Sequence, residues 1–375
     1  MKEGFGRLAS LDEAKEILYG LVSECGEENT PLRSALGRVL AQDVSSAIDV
    51  PHFQKSAMDG YAVKAEDTFG ASDMNPKSLK CIDSITAGVV SKKTVKQGEC
   101  ISITTGAPLP DGTDAVVMVE HISADDTDIH VHKAVAPGEN IVKIGSDLKS
   151  GARVAHAGQT LTPRLMGAIA AAGVADIKVK SRPKIAYFST GNEILEPGAK
   201  LVPGKIHDIN SVTIPAAIEE AGCEIQDIGL IKDDPAAIKT AIKEGAGHAD
   251  FVLLSGGSSL GGEDFMVQAV ADLGKVHVHG IAVKPGKPVL IGEVDGKLVL
   301  GLPGYPTSAL SNFLILVRAV IREMLGSKQE ERTVDRKLSR KVVSTVGRYQ
   351  FLAVSIDGEY AYPVLKGSSS ITTLT

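Results

Sequence analysis

Residues Phe251 to Leu254 form a short apolar run with no polar interruption. A strand wetted on one face alternates polar and apolar residues, so an unbroken run reads as a strand buried on both faces of a parallel sheet. The run breaks into a loop carrying Ser255, Gly256, Gly257, Ser258, Ser259, Gly261 and Gly262, and helical spacing resumes from Asp264. Strand, glycine-rich loop and helix turn backbone N–H groups and a helix N-terminus toward an anion, usually phosphate. No Gly-Lys-Ser/Thr follows, so this is not a Walker loop, and the glycine spacing is not GxGxxG. A plain strand-to-helix turn has the same composition, and the choice between the two rests on the rest of the chain.

After Arg182-Pro183 strands and helices alternate. Strands are predicted over 185–189, 223–230, 251–254, 276–278, 289–291 and 298–300, and helices over 212–220, 235–244, 265–273 and 307–325. That order predicts a doubly wound α/β domain with ligands outside the carboxyl ends of the strands. Polar residues fall at those ends: Asn192 and Glu193 after the first strand, Asp208 and Asn210 at the first helix, Asp233 after the second strand, and Asp264 after the glycine loop. Two Pro-Gly loops, Lys284-Pro-Gly-Lys287-Pro and Gly301-Leu-Pro303-Gly304, are expected on the same side. Asp208 and Asp233 also suit helix caps, and the lysines also suit plain surface charge. Yet carboxylates suit Mg²⁺ and lysines suit an oxyanion. Together they suggest the handling of a phosphorylated or pyrophosphate-linked molecule with a divalent cation. His277 and His279, two apart on one strand, are read as structural.

Composition narrows the class. At 375 residues the chain is expected to hold two to four domains. Its formal charge of −6, 4% aromatics and lack of Trp exclude a basic, base-stacking surface, so no nucleic-acid partner is expected. Four cysteines, none in a CxxC, read as reduced thiols of a cytoplasmic protein. The N-terminus lacks a signal-peptide core, and the longest apolar runs fall short of the ~20 residues of a membrane span.

Ser10 with Glu13 forms a capping box for a first helix to about residue 22, and 31–41 reads as a second helix. An Asp59-Gly60 turn follows, then short β-runs at 79–85, 100–104, 115–121 and 129–135, an inserted β domain. Within it Thr104, Thr105 and Gly106 end a strand, hydroxyls that suit a phosphate or a plain turn. The apolar helix over 162–174 is expected to pack on the first helices, closing a composite domain from two separated pieces. Residues 332–375 give a last β-rich piece, with strands over 341–346, 351–356 and 361–364, small for independent stability.

Along the chain, in one register, stand SAMDGYA at 56–62, ITTGAPLPDGTDAVVMVE at 103–120, STGNEI at 189–194, SGGSSLGGEDF at 255–265, KPGKP at 284–288 and GLPGYPTSA at 301–309. In these the chain resembles the molybdopterin molybdenumtransferases, the MoeA and gephyrin E-domain family. The resemblance implies four parts: a composite N-terminal domain (1–50 and 141–180), an inserted β domain (51–140), an α/β molybdopterin-binding domain (181–328) and a C-terminal β domain (329–375), the last expected to be incomplete. It implies a homodimer whose cleft is shared between subunits, with molybdopterin adenylyltransferase as pathway neighbour. The implied activity is insertion of molybdate into the dithiolene of adenylylated molybdopterin, with Mg²⁺ as cofactor and release of AMP. Asp59, Glu193, Asp233 and Asp264 would be catalytic, with Asp233 and Asp264 on the metal. Thr105, Asp208, Asn210, Ser255, Gly256, Gly257, Ser259, Gly261, Lys284, Lys287, Pro303 and Pro306 would bind substrate, and Asp147 and Arg348 are lesser carry-overs. Asn192, Tyr305 and Thr307 depart from the family pattern. The alternatives are a non-catalytic cofactor-binding scaffold, a tungstate-specific variant, or the related adenylyltransferase. A scaffold would be expected to lose the carboxylates, and the adenylyltransferase to be a single domain with a Gly-Gly-Thr-Gly loop.

Overall fold

The computed structural model describes residues 7–125, 127–256, 264–328 and 333–364. Its centre is a six-stranded sheet of β1 (Lys184–Thr190), β2 (Glu224–Ile231), β3 (Phe251–Ser255), β4 (Lys275–His279), β5 (Leu290–Val294) and β6 (Lys297–Leu302), in the order β2-β1-β3-β6-β5-β4. The first four in that order are parallel, and β5 and β4 add antiparallel pairs at one edge. Every residue of β3 is buried, as its unbroken apolar run requires.

Helices α1 (Asn210–Glu220), α2 (Pro235–His248), α3 (Phe265–Leu273), α4 (Pro306–Asn312) and α5 (Arg318–Met324) cover this sheet. The helix expected over 307–325 is interrupted by a π turn, Phe313–Val317, between α4 and α5. Side chains alternate across strands, so each strand feeds two cores. Ile185, Tyr187, Phe251 and Leu253 pack with Ile214 and Ile218 of α1 and with Phe313 and Leu316. Ala186, Phe188, Val252 and Leu254 pack on the other face with Ile242 of α2 and Met266 and Val270 of α3. From β1 the chain crosses through α1 to β2 on one side, then through α2 to β3 on the other. The reversal leaves a crevice between the carboxyl ends of β1 and β3.

The first helix, Leu11–Gly20, has the expected capping box: Glu13 N donates to Ser10 Oγ at 3.1 Å, and Ser10 N to Glu13 Oε2 at 3.4 Å. It does not pack on the helix Pro163–Ala171. Its Ala14 and Leu18 join Met324 and Leu325 in the α/β core, whereas Ile169 shares a separate core with Leu32, Leu40, Leu161 and Val179. The helix expected over 31–41 shrinks to a 3-10 turn, Leu32–Ser34. Pro31 ends a strand, Glu27–Pro31, that pairs with Asp176–Lys180, and Gly37 takes a left-handed φ of 76°. Pairing and turn geometry override helical spacing there.

The inserted domain is a second six-stranded sheet that includes Gly60–Val63, Glu99–Ile103 and Ala115–Met118. The strand expected over 341–346 is not formed; that stretch leads into Tyr349–Gln350, which pairs in parallel with Val283–Lys284. Among the described residues no helix is long and apolar enough to cross a membrane.

Gly60 is required by packing, not by turn chemistry: a Cβ there would lie 1.9 Å from the Val117 carbonyl oxygen. Gly60→Ala is expected to destabilise by about 1–3 kcal/mol, the usual cost of forced overpacking. Thermal denaturation checks this, and an unchanged melting temperature would contradict it.

Candidate active site

At the crevice, β1 ends in Thr190, whose hydroxyl donates to Asp233 Oδ1 at 2.7 Å. Asp233 is free for this because its neighbour caps the next helix: Asp234 accepts from Ala237 N at 2.9 Å, with Pro235 in the first turn. The capping alternative considered for Asp233 therefore belongs to Asp234. Gly256 lies opposite with φ 101°, and a Cβ on it would sit 2.0 Å from Thr190 O. Only glycine lets these strand ends approach so closely. Glu193 is exposed, and its carboxylate folds back to within 3.0–3.2 Å of where a Gly191 Cβ would stand.

Asp208 and Asn210 open α1 and are buried, at 4% and 5% exposure. Asp208 Oδ1 caps the helix, accepting from Ser211 N at 3.0 Å, while Asp208 Oδ2 has no partner. Asn210 Nδ2 donates to Gly304 O at 2.9 Å and ties α1 to the Pro-Gly loop, while its Oδ1 has no partner. Two buried, unsatisfied oxygens at one helix start leave acceptor capacity for a ligand group or ion. Gly304 lies close enough to Gly256 that a Cβ on it would be 3.4 Å from the Gly256 Cα. Pro303 is buried, Pro306 opens α4, and Tyr305 is exposed beside Gly304. Ser255 is turned away from the crevice: fully buried, it shares a 2.7 Å hydrogen bond with the Tyr187 hydroxyl. Gly257, Ser259 and Gly261 lie outside the described residues.

The Lys284–Pro288 loop reaches the same rim, because β5 runs antiparallel to β6 and Leu290 pairs with Gly301. Lys284 is exposed, and its Nζ donates to Thr345 Oγ1 at 3.2 Å. Lys287 is half-buried. Asp264 has a structural position that spacing did not show. It caps α3 through Val267 N at 3.2 Å, and its Oδ2 faces His279 Nε2 at 3.3 Å. Burial pushes its carboxyl above the usual carboxylate range, against the opposing pull of the Val267 N–H and His279. His279 was missed by the sequence argument, which paired it with His277. A bulge between Val276 and Val278 sends His277 to Glu293 at 3.1 Å instead.

Asp59 and Thr105 lie in turns at the ends of strands Gly60–Val63 and Glu99–Ile103 of the second sheet. Thr105 donates to Asp59 Oδ1 through its backbone N–H at 2.7 Å and its hydroxyl at 2.9 Å, and the two bonds hold the Asp59 carboxyl below its ordinary range. Asp147 and Arg348 are exposed.

Asp233 and Asp264 are not brought together. One is tied to the end of β1 and the other to the end of β4, four strand spacings apart in the sheet, about 19 Å at ~4.8 Å each. No described hydrogen bond or ion pair joins the two carboxylates that were expected to share one Mg²⁺. Among the described residues no three His, Cys, Asp or Glu side chains gather to hold a metal. Asp233 and the unsatisfied Asp208 and Asn210 oxygens are hard donors of the kind that suits Mg²⁺ carried in on a phosphate.

Asp264→Ala is expected to cost about 1 kcal/mol through the lost cap, so its melting temperature falls where a purely catalytic role would leave it. Asp264→Asn keeps an acceptor. A raised folded-state carboxyl stabilises the fold below its ordinary range and loses that contribution as pH rises through the raised value. The melting temperature of Asp264→Asn relative to the unsubstituted protein should therefore climb with pH across the carboxylate range. A pH-independent difference would contradict the burial argument.

The family described as MoeA N-terminal region (domain I and II) matches residues 9–173, and that described as probable molybdopterin binding domain matches 186–323. Molybdopterin molybdenumtransferase 2 of Mycobacterium tuberculosis is 33% identical, covering 93% of this chain and 88% of that protein. The molybdopterin molybdenumtransferase of Haemophilus influenzae is 36% identical over 86% of this chain and 79% of its own. The crystal structure of a molybdopterin biosynthesis MoeA protein from Pyrococcus horikoshii OT3 superposes with a TM-score of 0.85 at 32% identity, covering 98% of this chain and 93% of that one. Since these likenesses run through both the crevice-bearing sheet and the Asp59–Thr105 insert, the chain belongs to the molybdopterin molybdenumtransferase family.

Proposed function

We propose that the chain, an enzyme of molybdenum cofactor biosynthesis, inserts molybdate into the dithiolene of adenylylated molybdopterin with Mg²⁺-dependent release of AMP. The observation that carries this reading is the division of the rim. Asp233 is bonded at the end of β1, Asp208 and Asn210 open α1 with unsatisfied oxygens, and Lys284 and Lys287 stand on a separate loop beside Pro303. A pyrophosphate linkage and an oxyanion need opposite kinds of partner, and a site for both must keep them apart.

Glycine backbone at 256 and 304 admits the substrate phosphates closely. Asp233, with Asp208 and Asn210, would hold Mg²⁺, and the ion would supply positive charge for the AMP phosphate. Lys284 and Lys287 attract and orient molybdate. Glu193, exposed after β1, would take a proton from the water that cleaves the anhydride. Asp59, fixed as a carboxylate by Thr105, belongs to the inserted domain and completes the site from the second subunit of a homodimer. A cofactor-binding scaffold would bind the same substrate without turnover, and tungstate competing in the same assay reports metal preference.

Following AMP from adenylylated molybdopterin while titrating molybdate and Mg²⁺ separately tests the reading. Lys284→Ala or Lys287→Ala should raise the molybdate requirement about tenfold, the usual weight of a charge-assisted contact. Asp233→Ala should raise the Mg²⁺ requirement and slow AMP release. Equal shifts of both requirements in every variant would overturn the assignment, and substrate binding without AMP release would favour the scaffold.

A further inference from the structure

We propose that Asn312 is a positioning residue that holds the Lys284–Lys287 loop in place and thereby sets the rim's affinity for an oxyanion; this rests on reading those lysines as the anion's partners. Asn312 is the last residue of α4, and its side chain is fully buried beside Phe313 and Ala309. A leucine would fill such a place at less desolvation cost, since a buried amide is tolerated only for the bonds it makes.

Those bonds point at the loop. Asn312 Nδ2 donates one hydrogen to Ser308 O at 2.8 Å, and its other hydrogen is shared between Gly286 O at 3.4 Å and Pro285 O at 3.5 Å. The three carbonyls fix the amide's orientation, because turning it over would set Oδ1 against three other acceptors. Oδ1 itself has no partner, so the residue leaves half its bonding capacity unsatisfied while holding the loop. Gly286, at φ 93°, closes tightly over it: a Cβ there would stand 1.9 Å from Asn312 Nδ2 and 3.2 Å from Pro303 Cγ. The lysine loop thus rests at once on Asn312 and on the second Pro-Gly loop.

The loop is anchored at both ends. Ile281 N and Val289 N each donate to Lys287 O at 2.9 Å, and Phe351 N donates to Lys284 O at 2.8 Å. Between these anchors Pro285 has no N–H to offer, and the carbonyls of Pro285 and Gly286 meet Asn312 from below. The two residues it holds are the two between the lysines, so their position sets where both ammonium groups emerge. The π turn Phe313–Val317 begins at the next residue, a distortion often found beside functional sites.

Asn312→Leu removes these donations while keeping a side chain branched at the same carbon, though a larger one. Asn312→Ser can still bond the Ser308 carbonyl within the helix but is too short to reach the loop. Both variants should raise the molybdate concentration for half-maximal AMP release roughly tenfold, with kcat at saturating molybdate within about twofold of the unsubstituted enzyme. Both should also speed hydrogen exchange across residues 281–289. A folded variant with unchanged exchange and unchanged molybdate requirement would overturn the proposal, as would a fall in kcat with the requirement unmoved. If the unsubstituted enzyme shows no response to molybdate, the functional reading is what fails, and hydrogen exchange across 281–289 still decides the role of Asn312.

Discussion

Backbone hydrogen bonds align Ile185–Ser189 of β1 with Phe251–Ser255 of β3, and Phe251–Ser255 in turn with Leu298–Leu302 of β6, each in parallel and without a slip. This ladder brings Thr190, Gly256 and Pro303 to one level although they are far apart in sequence. A one-residue slip would turn each strand over and exchange its two buried faces. Such a slip is opposed from both sides, because Tyr187 and Leu253 fill one core while Phe188 and Leu254 fill the other. The crevice is therefore held open by packing beneath it, and its glycines are free to serve approach.

Much of this was legible in the sequence. The apolar run at Phe251, the strand–helix alternation and the Pro-Gly loops placed the rim, because burial on two faces and helix spacing leave marks that neighbours cannot erase. Partners across the fold leave no such mark. Nothing local tells that Asp234 rather than Asp233 caps α2, that Ser255 bonds Tyr187, or that a bulge separates His277 from His279 and delivers the latter to Asp264. For the same reason the anchors of Asp233 and Asp264, expected to share Mg²⁺, left no local mark: one is bonded at the end of β1 and the other at the end of β4. The helix expected over 31–41 failed differently, because pairing of Glu27–Pro31 with Asp176–Lys180 outweighed a helical pattern.

The carboxylates of the proposed chemistry are built on two separate scaffolds. Asp233 depends on the central sheet, whereas Asp59 depends on the inserted sheet, where Thr105 grips it and Gly60 allows the strands to close. Each is rigidly held within its own domain, which is what a site assembled from two bodies requires. In the proposed homodimer, the arm of one subunit meets the rim of the other.

Subunit complementation tests that claim most directly. Asp59→Ala and Asp233→Ala variants, each slowed alone, are unfolded together, refolded as a mixture and assayed for AMP release from adenylylated molybdopterin. If each site draws Asp59 from one subunit and Asp233 from the other, mixed dimers hold one intact site. Activity should then return to roughly a quarter of the unsubstituted rate, since about half the dimers are mixed. If the mixture is no faster than either variant alone, the shared cleft is wrong.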